Sequence, residues 1–327
     1  MSNTKAKSVF LPMDLDEMRP QNFLANLTQS AKEKHDKVSQ KNGWKQVDSC
    51  PVCGSEKRRL EFVKFGVEIF CCENCSLRYS GKIPIQTEDV YSDSIYLPKM
   101  IKSYEKNVDY RKQRFGKERI ALMKSHIKSN SKGRLLDVGC GTGWFLDVAK
   151  EHGFEVSGQE LGKELAQWTS QKLGIQIWDC RLDEIETQEP FDVITMFDLL
   201  EHVPDPLKLI STAKKLLSKN GIIVVFTPNF DSVAISIMRE ASNLIVPAEH
   251  LTYFTKTAMV KIAERANMGI SYYATKGIDL GDLKAYYEML NQEKMLFACN
   301  RLYNELQPLV DAAEAGNHLR VILMNKS

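Results

Sequence analysis

Three groups of residues in this sequence have the types and spacing to do chemistry. The first is thiolate. Cys50-x₂-Cys53 and Cys72-x₂-Cys75 are separated by eighteen residues. Two such knuckles supply four sulfurs, the number a closed structural Zn²⁺ site takes, with no open position for catalysis. Cys71 is a spare whose use in place of Cys72 would break the two-residue spacing. The second group is a glycine cradle, Asp137-Val138-Gly139-Cys140-Gly141-Thr142-Gly143, followed by Glu160. Glycine lets the backbone approach a ligand without a Cβ in the way. The third is imidazole beside carboxylate: Asp198, Glu201 and His202, and farther on Glu249 and His250. Histidine suits proton removal near neutral pH.

The elements around these residues follow from periodicity. Leu135, Leu136 and Val138 read as a buried parallel strand interrupted by Asp137. Trp144, Phe145, Val148 and Ala149 fall at helical spacing, and a second strand spans Phe154 to Ser157. Glu160 stands just beyond it. The glycine spacing departs from the dinucleotide fingerprint G-x-G-x-x-G, because Trp144 occupies the position that needs Gly or Ala. It suits a ligand with an amino-acid tail, and a carboxylate at Glu160 can accept from both ribose hydroxyls.

The pattern then repeats. A helix is expected over Leu165–Leu173, a strand at "GIQIW", and a fourth strand over Asp192–Met196 with Phe197 and Asp198 at its carboxyl end. Pro204 and Pro206 punctuate the next helix, expected to run to Gly221 before a fifth strand. Thr255 can cap a helix with Ala258, Ile262 and Ala263 on its core face, and "HLRVILM" ends the pattern as a strand. Leu60 to Phe70 alternates as two short ribbon strands between the cysteine knuckles.

The glycine stretch with Glu160, reinforced by "EHVPDP", "TPN" and "EHLTYF", resembles class I S-adenosylmethionine (SAM)-dependent methyltransferases carrying an N-terminal zinc ribbon. The resemblance covers roughly residues 48–327 and includes the ubiquinone-biosynthesis O-methyltransferase group. It implies an α/β, Rossmann-like, seven-stranded and mostly parallel sheet with helices on both faces, plus the small ribbon. It assigns the cofactor to Asp137, Gly139, Cys140, Gly141, Gly143, Glu160, Leu161, Arg181, Leu182 and Phe197, with Cys180 beside the adenine. It also implies that an aromatic residue or Arg from a lid touches SAM, which points to Tyr110, Arg111 or Arg114. Asp198, Glu201 and His202 resemble a magnesium-binding segment, with Asp198 shorter than the glutamate found there.

The domains expected are a helical segment (1–47), the ribbon (48–80), a helical connector or lid (81–130) with Tyr91, Tyr96, Tyr104 and Tyr110, and the SAM domain (131–327). One or two extra helices are expected near 279–313, read as added core ahead of a cleft wall or dimer surface. The cofactors are SAM and a structural Zn²⁺ on Cys50, Cys53, Cys72 and Cys75.

Composition narrows the partners. A net charge of +2 over 327 residues gives no basic stripe for nucleic acid. There is no signal-peptide h-region and no run long enough for a bilayer, so a cytoplasmic protein is expected. The expected reaction is methylation of a small-molecule or sugar-containing intermediate at oxygen, with His250 or His202 as base. His35, His126 and His152 read as surface residues, and His318 as structural. Two rivals stand beside this reading: an RNA methyltransferase using the ribbon as reader, and a SAM-binding scaffold without catalysis.

Overall fold

The computed structural model describes residues 15–41, 43–85, 96–128 and 133–326. Tyr91 lies outside them. The N-terminal part comprises α1 (Leu15–Met18), α2 (Phe23–Lys41), β1 (Trp44–Gln46), β2 (Arg58–Lys64), β3 (Val67–Cys72), β4 (Arg78–Ser80) and β5 (Lys82–Pro84). Then α3 (Tyr96–Arg111) runs through a π-helical turn at Lys112–Gly116 into α4 (Lys117–Lys124). The alternating units follow: β6 (Arg134–Val138), α5 (Trp144–Glu151), β7 (Glu155–Gln159), α6 (Lys163–Leu173), β8 (Ile177–Trp178), β9 (Phe191–Phe197), α7 (Pro206–Leu216) and β10 (Leu217–Pro228). The chain continues with α8 (Val233–Met238), β11 (Thr252–Tyr253), α9 (Lys256–Arg265), β12 (Met268–Lys276), α10 (Asp279–Met289), α11 (Glu293–Arg301), α12 (Tyr303–Ala312) and β13 (His318–Asn325).

Seven strands form one sheet in the order β12-β13-β10-β9-β6-β7-β8. β6 through β10 pair in parallel, and β13 runs antiparallel between β10 and β12. Strand side chains alternate between faces, and the two cores follow that alternation. Leu135, Val193, Ile222, Val224 and Ile322 pack with α4, α5 and α6 on one face. Leu136, Val138, Ile194, Ile223, Val225 and Val321 pack with α7 and α9 on the other.

The seven-stranded α/β sheet expected from the sequence is present. Two local expectations change. The helix before the fifth strand ends at Leu216 rather than Gly221. Leu217 turns into the core, and Asn325 donates to the carbonyls of Ser218 and Lys219, so tertiary contacts override helix propensity there. Three helices, not one or two, lie between β12 and β13.

The cysteine ribbon is joined to the large sheet's framework. β11 extends the ribbon sheet to the order β11-β4-β3-β2, and Ser80 N–H donates to the Leu251 carbonyl at 3.0 Å. Cys50, Val52, Cys72, Cys75, Leu77 and Tyr79 belong to the same buried cluster as Leu136, Phe254 and Ile262. A short segment without enough core of its own gains one by sharing.

Candidate functional site

Parallel strands deliver their carboxyl ends to one edge of the sheet, where open α/β folds place ligands. A cavity of about 1330 Å³ opens there. One side is built by the loop after β6. Gly139 and Cys140 N–H both donate to the Gln159 carbonyl, at 2.8 and 2.9 Å, and the Gln159 amide donates to Cys180 O at 2.8 Å. One residue, through its main-chain carbonyl and its side-chain amide, thus ties the glycine loop to the loop after β8. Gly139, Gly141 and Gly143 have φ of 69°, 54° and 69°, a region that disfavours any residue with a Cβ.

Their uses differ. A Cβ on Gly143 would lie 2.6 Å from Leu173 Cδ1 and 2.7 Å from Thr169 Cγ2, so this glycine lets α5 sit against α6. A Cβ on Gly139 would lie 2.9 Å from Leu199. On Gly141 it would meet only Met100 Cε, at 3.8 Å, and Gly141 opens on the cavity. Of the ten expected cofactor residues, nine line the cavity; Gly143 is the exception, acting on the turn instead.

Glu160 is 8% exposed. Its Oε1 accepts from Gly162 N–H at 2.8 Å and its Oε2 from Gly141 N–H at 3.1 Å. Each oxygen keeps lone-pair capacity for a hydroxyl. Burial raises its pKa, against those backbone bonds. Asp137 Oδ1 accepts from the Thr195 hydroxyl at 2.5 Å. Burial pushes Asp137 up to about 7, opposed by Thr195 and by the Arg119 charge.

Arg119, from α4, lies 4.0 Å over the Phe197 ring and 5.0 Å over Trp144. Burial lowers it to about 10, so it stays charged at neutral pH, beside Asp198 and Asp137. Tyr110, Arg111 and Arg114 also line the cavity, which puts the connector helix on its wall. Tyr104 instead packs edge-on against Trp168.

A pair of histidines meets the cavity at one of its members. His202 lines the cavity, whereas His250 is not among its lining residues. The two rings stand edge to face with centroids 4.7 Å apart. His202 Nδ1 bonds the Glu249 carbonyl at 3.0 Å and His250 Nδ1 the Leu244 carbonyl at 2.8 Å. Burial, with His250 beside it, holds His202 down to about 3, and burial lowers His250 too. Both imidazoles are therefore neutral at physiological pH. Glu201 is 1% exposed; its Oε2 accepts from the Thr227 hydroxyl at 2.9 Å. Burial and the Asp198 charge push it up to about 8.

Asp198 has φ of 54° and lies 3.4 Å from His318 Nε2. Burial acts to raise it, yet His318, Arg119 and His202 together hold it well below the usual carboxylate range. The magnesium-type set implied by the resemblance does not converge: Glu201 and His202 group with His250, not with Asp198.

The four cysteines do converge. Cys50 and Cys75 sulfurs are 3.6 Å apart, Cys53 and Cys72 sulfurs 3.5 Å, and all four lie within 4.8 Å of one another. Sulfurs about 2.3 Å from a tetrahedral Zn²⁺ are roughly 3.8 Å apart, far from the ~2.05 Å of a disulfide. The knuckles match in backbone: Gly54 N–H donates to Cys50 O and Ser76 N–H to Cys72 O, and both residues have positive φ. The donor set fits zinc. Cys71 stays outside it.

The family model for the methyltransferase domain matches residues 106–270, half of the chain. The chain belongs to this family of class I SAM-dependent methyltransferases. Among curated relatives of this methyltransferase, a ubiquinone biosynthesis O-methyltransferase of Idiomarina loihiensis is 32% identical over 118 residues, covering 34% of this chain and 49% of that one. One from Actinobacillus pleuropneumoniae serotype 7 is 36% identical over 124 residues, covering 33% and 53%. The chain thus spans about half the length of these relatives. The plantazolicin methyltransferase BamL, solved with SAH and a triazolic desmethylPZN analog, shares the fold: TM-score 0.50 at 14% identity, covering 74% of this chain and 95% of that one. No helix among the described residues is long and apolar enough to cross a membrane.

Sequence reasoning missed three cavity residues of this methyltransferase. Arg119 lies in an ordinary helical stretch, and only its place over the strand ends reveals it. His318 read as structural because Asp198, its partner, is 120 positions away in sequence. Gln159 reads as an ordinary strand residue, since its bonds to Gly139, Cys140 and Cys180 all involve backbone about twenty positions away.

Proposed function

We propose that this protein transfers the methyl group of SAM to an oxygen of a small-molecule or sugar-containing acceptor, and that Cys50, Cys53, Cys72 and Cys75 hold a structural Zn²⁺. One observation carries the reading. The glycine cradle with Glu160 and the histidine wall at His202 face a single continuous cavity of about 1330 Å³, above the range of roughly 300–1,000 Å³ usual for one small ligand. It has room for a cofactor and an acceptor side by side.

Glu160 receives the ribose hydroxyls. Gly139 to Gly141 and Asp137 receive the methionine end, and the cations Arg119, Arg111 and Arg114 meet its carboxylate. Cys180, Arg181 and Leu182 flank the adenine, with Leu161 and Phe197 as apolar contacts. The sulfonium activates the methyl group itself, so the protein's task is to hold the acceptor oxygen in line with the S–CH₃ bond. The hydroxyl proton is removed at the Glu201–His202–His250 cluster, with His202 as the side chain that reaches the cavity. The zinc supplies no chemistry to transfer; it fixes the knuckles that extend the framework through β4 and β11.

The test is incubation with methyl-labelled SAM and three acceptor pools: hydroxylated small molecules, nucleotide sugars and RNA. Label in a small-molecule or sugar fraction supports the proposal, and label only in RNA contradicts it.

A further inference from the structure

We infer that Lys276 and Arg320 bind an oxyanion, a phosphate or a carboxylate, that the methyl acceptor carries at its non-reacting end. The inference rests on the acceptor reading proposed above and names the class of acceptor that the site takes.

Sheet order separates this end of the cavity from the cofactor's. The glycine loop follows β6 and Glu160 follows β7, whereas Lys276 closes β12 and Arg320 lies in β13, on the far side of the sheet. Neighbouring strands are about 4.8 Å apart, so the path from β7 through β6, β9 and β10 to β13 spans roughly 19 Å. In register, Lys276 stands opposite His318, and Ala274 opposite Arg320. Alternation therefore puts Lys276, His318 and Arg320 on one face, the face of Ile322 and α4. All three line the cavity.

The charges there do not balance. Lys276 Nζ and Arg320 Nη1 both donate to one oxygen of Glu118, from α4, Arg320 at 2.6 Å. Arg114 Nη1 lies 3.8 Å from the other oxygen. Burial acts to raise Glu118, yet Arg320 and Lys276 hold it below the usual carboxylate range. It is ionised, and several cations share its single charge. Arg119 stands beside them: its guanidinium and that of Arg320 lie 5.1 and 5.0 Å from the same Phe226 ring. Two further carboxylates line this end and face other groups. Asp198 meets His318, and Asp311 Oδ1 accepts from Gly277 N–H and Gln307 Nε2. Like charges held this close repel in a partly desolvated cleft. An oxyanion between Lys276 and Arg320 relieves that repulsion, and both side chains keep donors beyond the one each gives to Glu118.

The test titrates full-length, SAH-saturated protein with glucose 1-phosphate, glucuronate and uncharged methyl glucoside, with inorganic phosphate as competitor. SAH keeps the cofactor's own carboxylate in place, and its affinity reports folding in each variant. At least one sugar anion is expected to bind about tenfold or more tightly than methyl glucoside, and to be displaced by inorganic phosphate; which anion it is distinguishes phosphate from carboxylate. Lys276→Gln and Arg320→Gln are each expected to weaken that anion about tenfold, the worth of one charged hydrogen bond. Lys276→Arg should retain it, and all three should keep SAH affinity within about twofold. Glu118→Gln frees both cations and is expected to strengthen the anion about threefold or more, the opposite of what a purely structural ion cluster predicts. Three results overturn the inference: equal binding of charged and neutral sugars, weaker anion binding in Glu118→Gln, or SAH affinity falling in step with the anion in Lys276→Gln. The same titrations are run without SAH if the protein binds none, so this inference and the cofactor reading fail separately.

Discussion

Gly141→Ala and Gly143→Ala place the same methyl group two residues apart in one loop, and the account predicts opposite consequences. Both positions have positive φ, so each alanine carries strain of about 1–2 kcal/mol. At Gly141 little else is added, because the new Cβ meets only Met100 Cε at 3.8 Å. At Gly143 the Cβ falls 2.7 Å from Thr169 Cγ2, on a side chain with no exposure whose hydroxyl donates to Gly141 O at 2.8 Å. Overpacking there adds about 1–3 kcal/mol. At roughly 2 °C per kcal/mol, Tm should fall about 2–4 °C for Gly141→Ala and about 4–10 °C for Gly143→Ala. SAM affinity should behave the other way. Gly141→Ala puts its methyl on the cavity wall and should weaken binding at least tenfold, about 1.4 kcal/mol. Gly143→Ala, at a temperature where it is folded, should bind within a few-fold of wild type. Differential scanning fluorimetry and calorimetry read the two effects separately. If Gly141→Ala binds SAM normally, the loop is not the cofactor cradle.

Glu160→Ala should cost SAM binding about 1.5–3 kcal/mol, the worth of charged hydrogen bonds, and calorimetry with SAH should show the same loss. His202→Ala should lower kcat by about 10²–10⁴-fold with SAM affinity nearly unchanged; His250→Ala should follow it in direction, and single-turnover rates would expose full activity in both as a contradiction. Asp137 has its folded pKa raised to about 7, so the ligand-free protein holds this proton more tightly than the unfolded chain does. Stability from that group is complete below the ordinary Asp range and is lost as pH rises through about 7. SAM carries a cationic ammonium and sulfonium, which favour the carboxylate, so its affinity should rise with pH through the same window. Calorimetry in buffers of different ionisation heat should detect proton release. Cys53→Ser with Cys75→Ser should release zinc and lower a single unfolding transition of the whole chain, because the ribbon shares its core with the sheet; a separate early transition confined to residues 48–80 would refute that coupling.

The sheet was legible because its signals are local. Leu135 to Val138, the glycines after them and Thr255 before its helix each state their role within a few residues, and Thr255 does accept from Ala258 N–H at 3.1 Å. The cysteine knuckles were legible for the same reason. What the sequence hid depends on distance. The union of ribbon and sheet needs β11, two residues long, to find β4 some 170 positions earlier. The choice of His250 over Asp198 beside Glu201 and His202 rests on a positive φ at Asp198 and on a histidine 48 residues away. The third inserted helix carries Pro308 within it, a residue that in sequence argues for an end to the helix.

The central claim is that the cavity at the strand ends holds SAM through the glycine loop and Glu160. Isothermal titration calorimetry of the purified protein against SAM, SAH and NAD tests it most directly. The account predicts one SAM and one SAH bound per chain, both weakened at least tenfold in Glu160→Ala, and no binding of NAD. Binding of NAD without SAM, or SAM binding indifferent to Glu160, would contradict it.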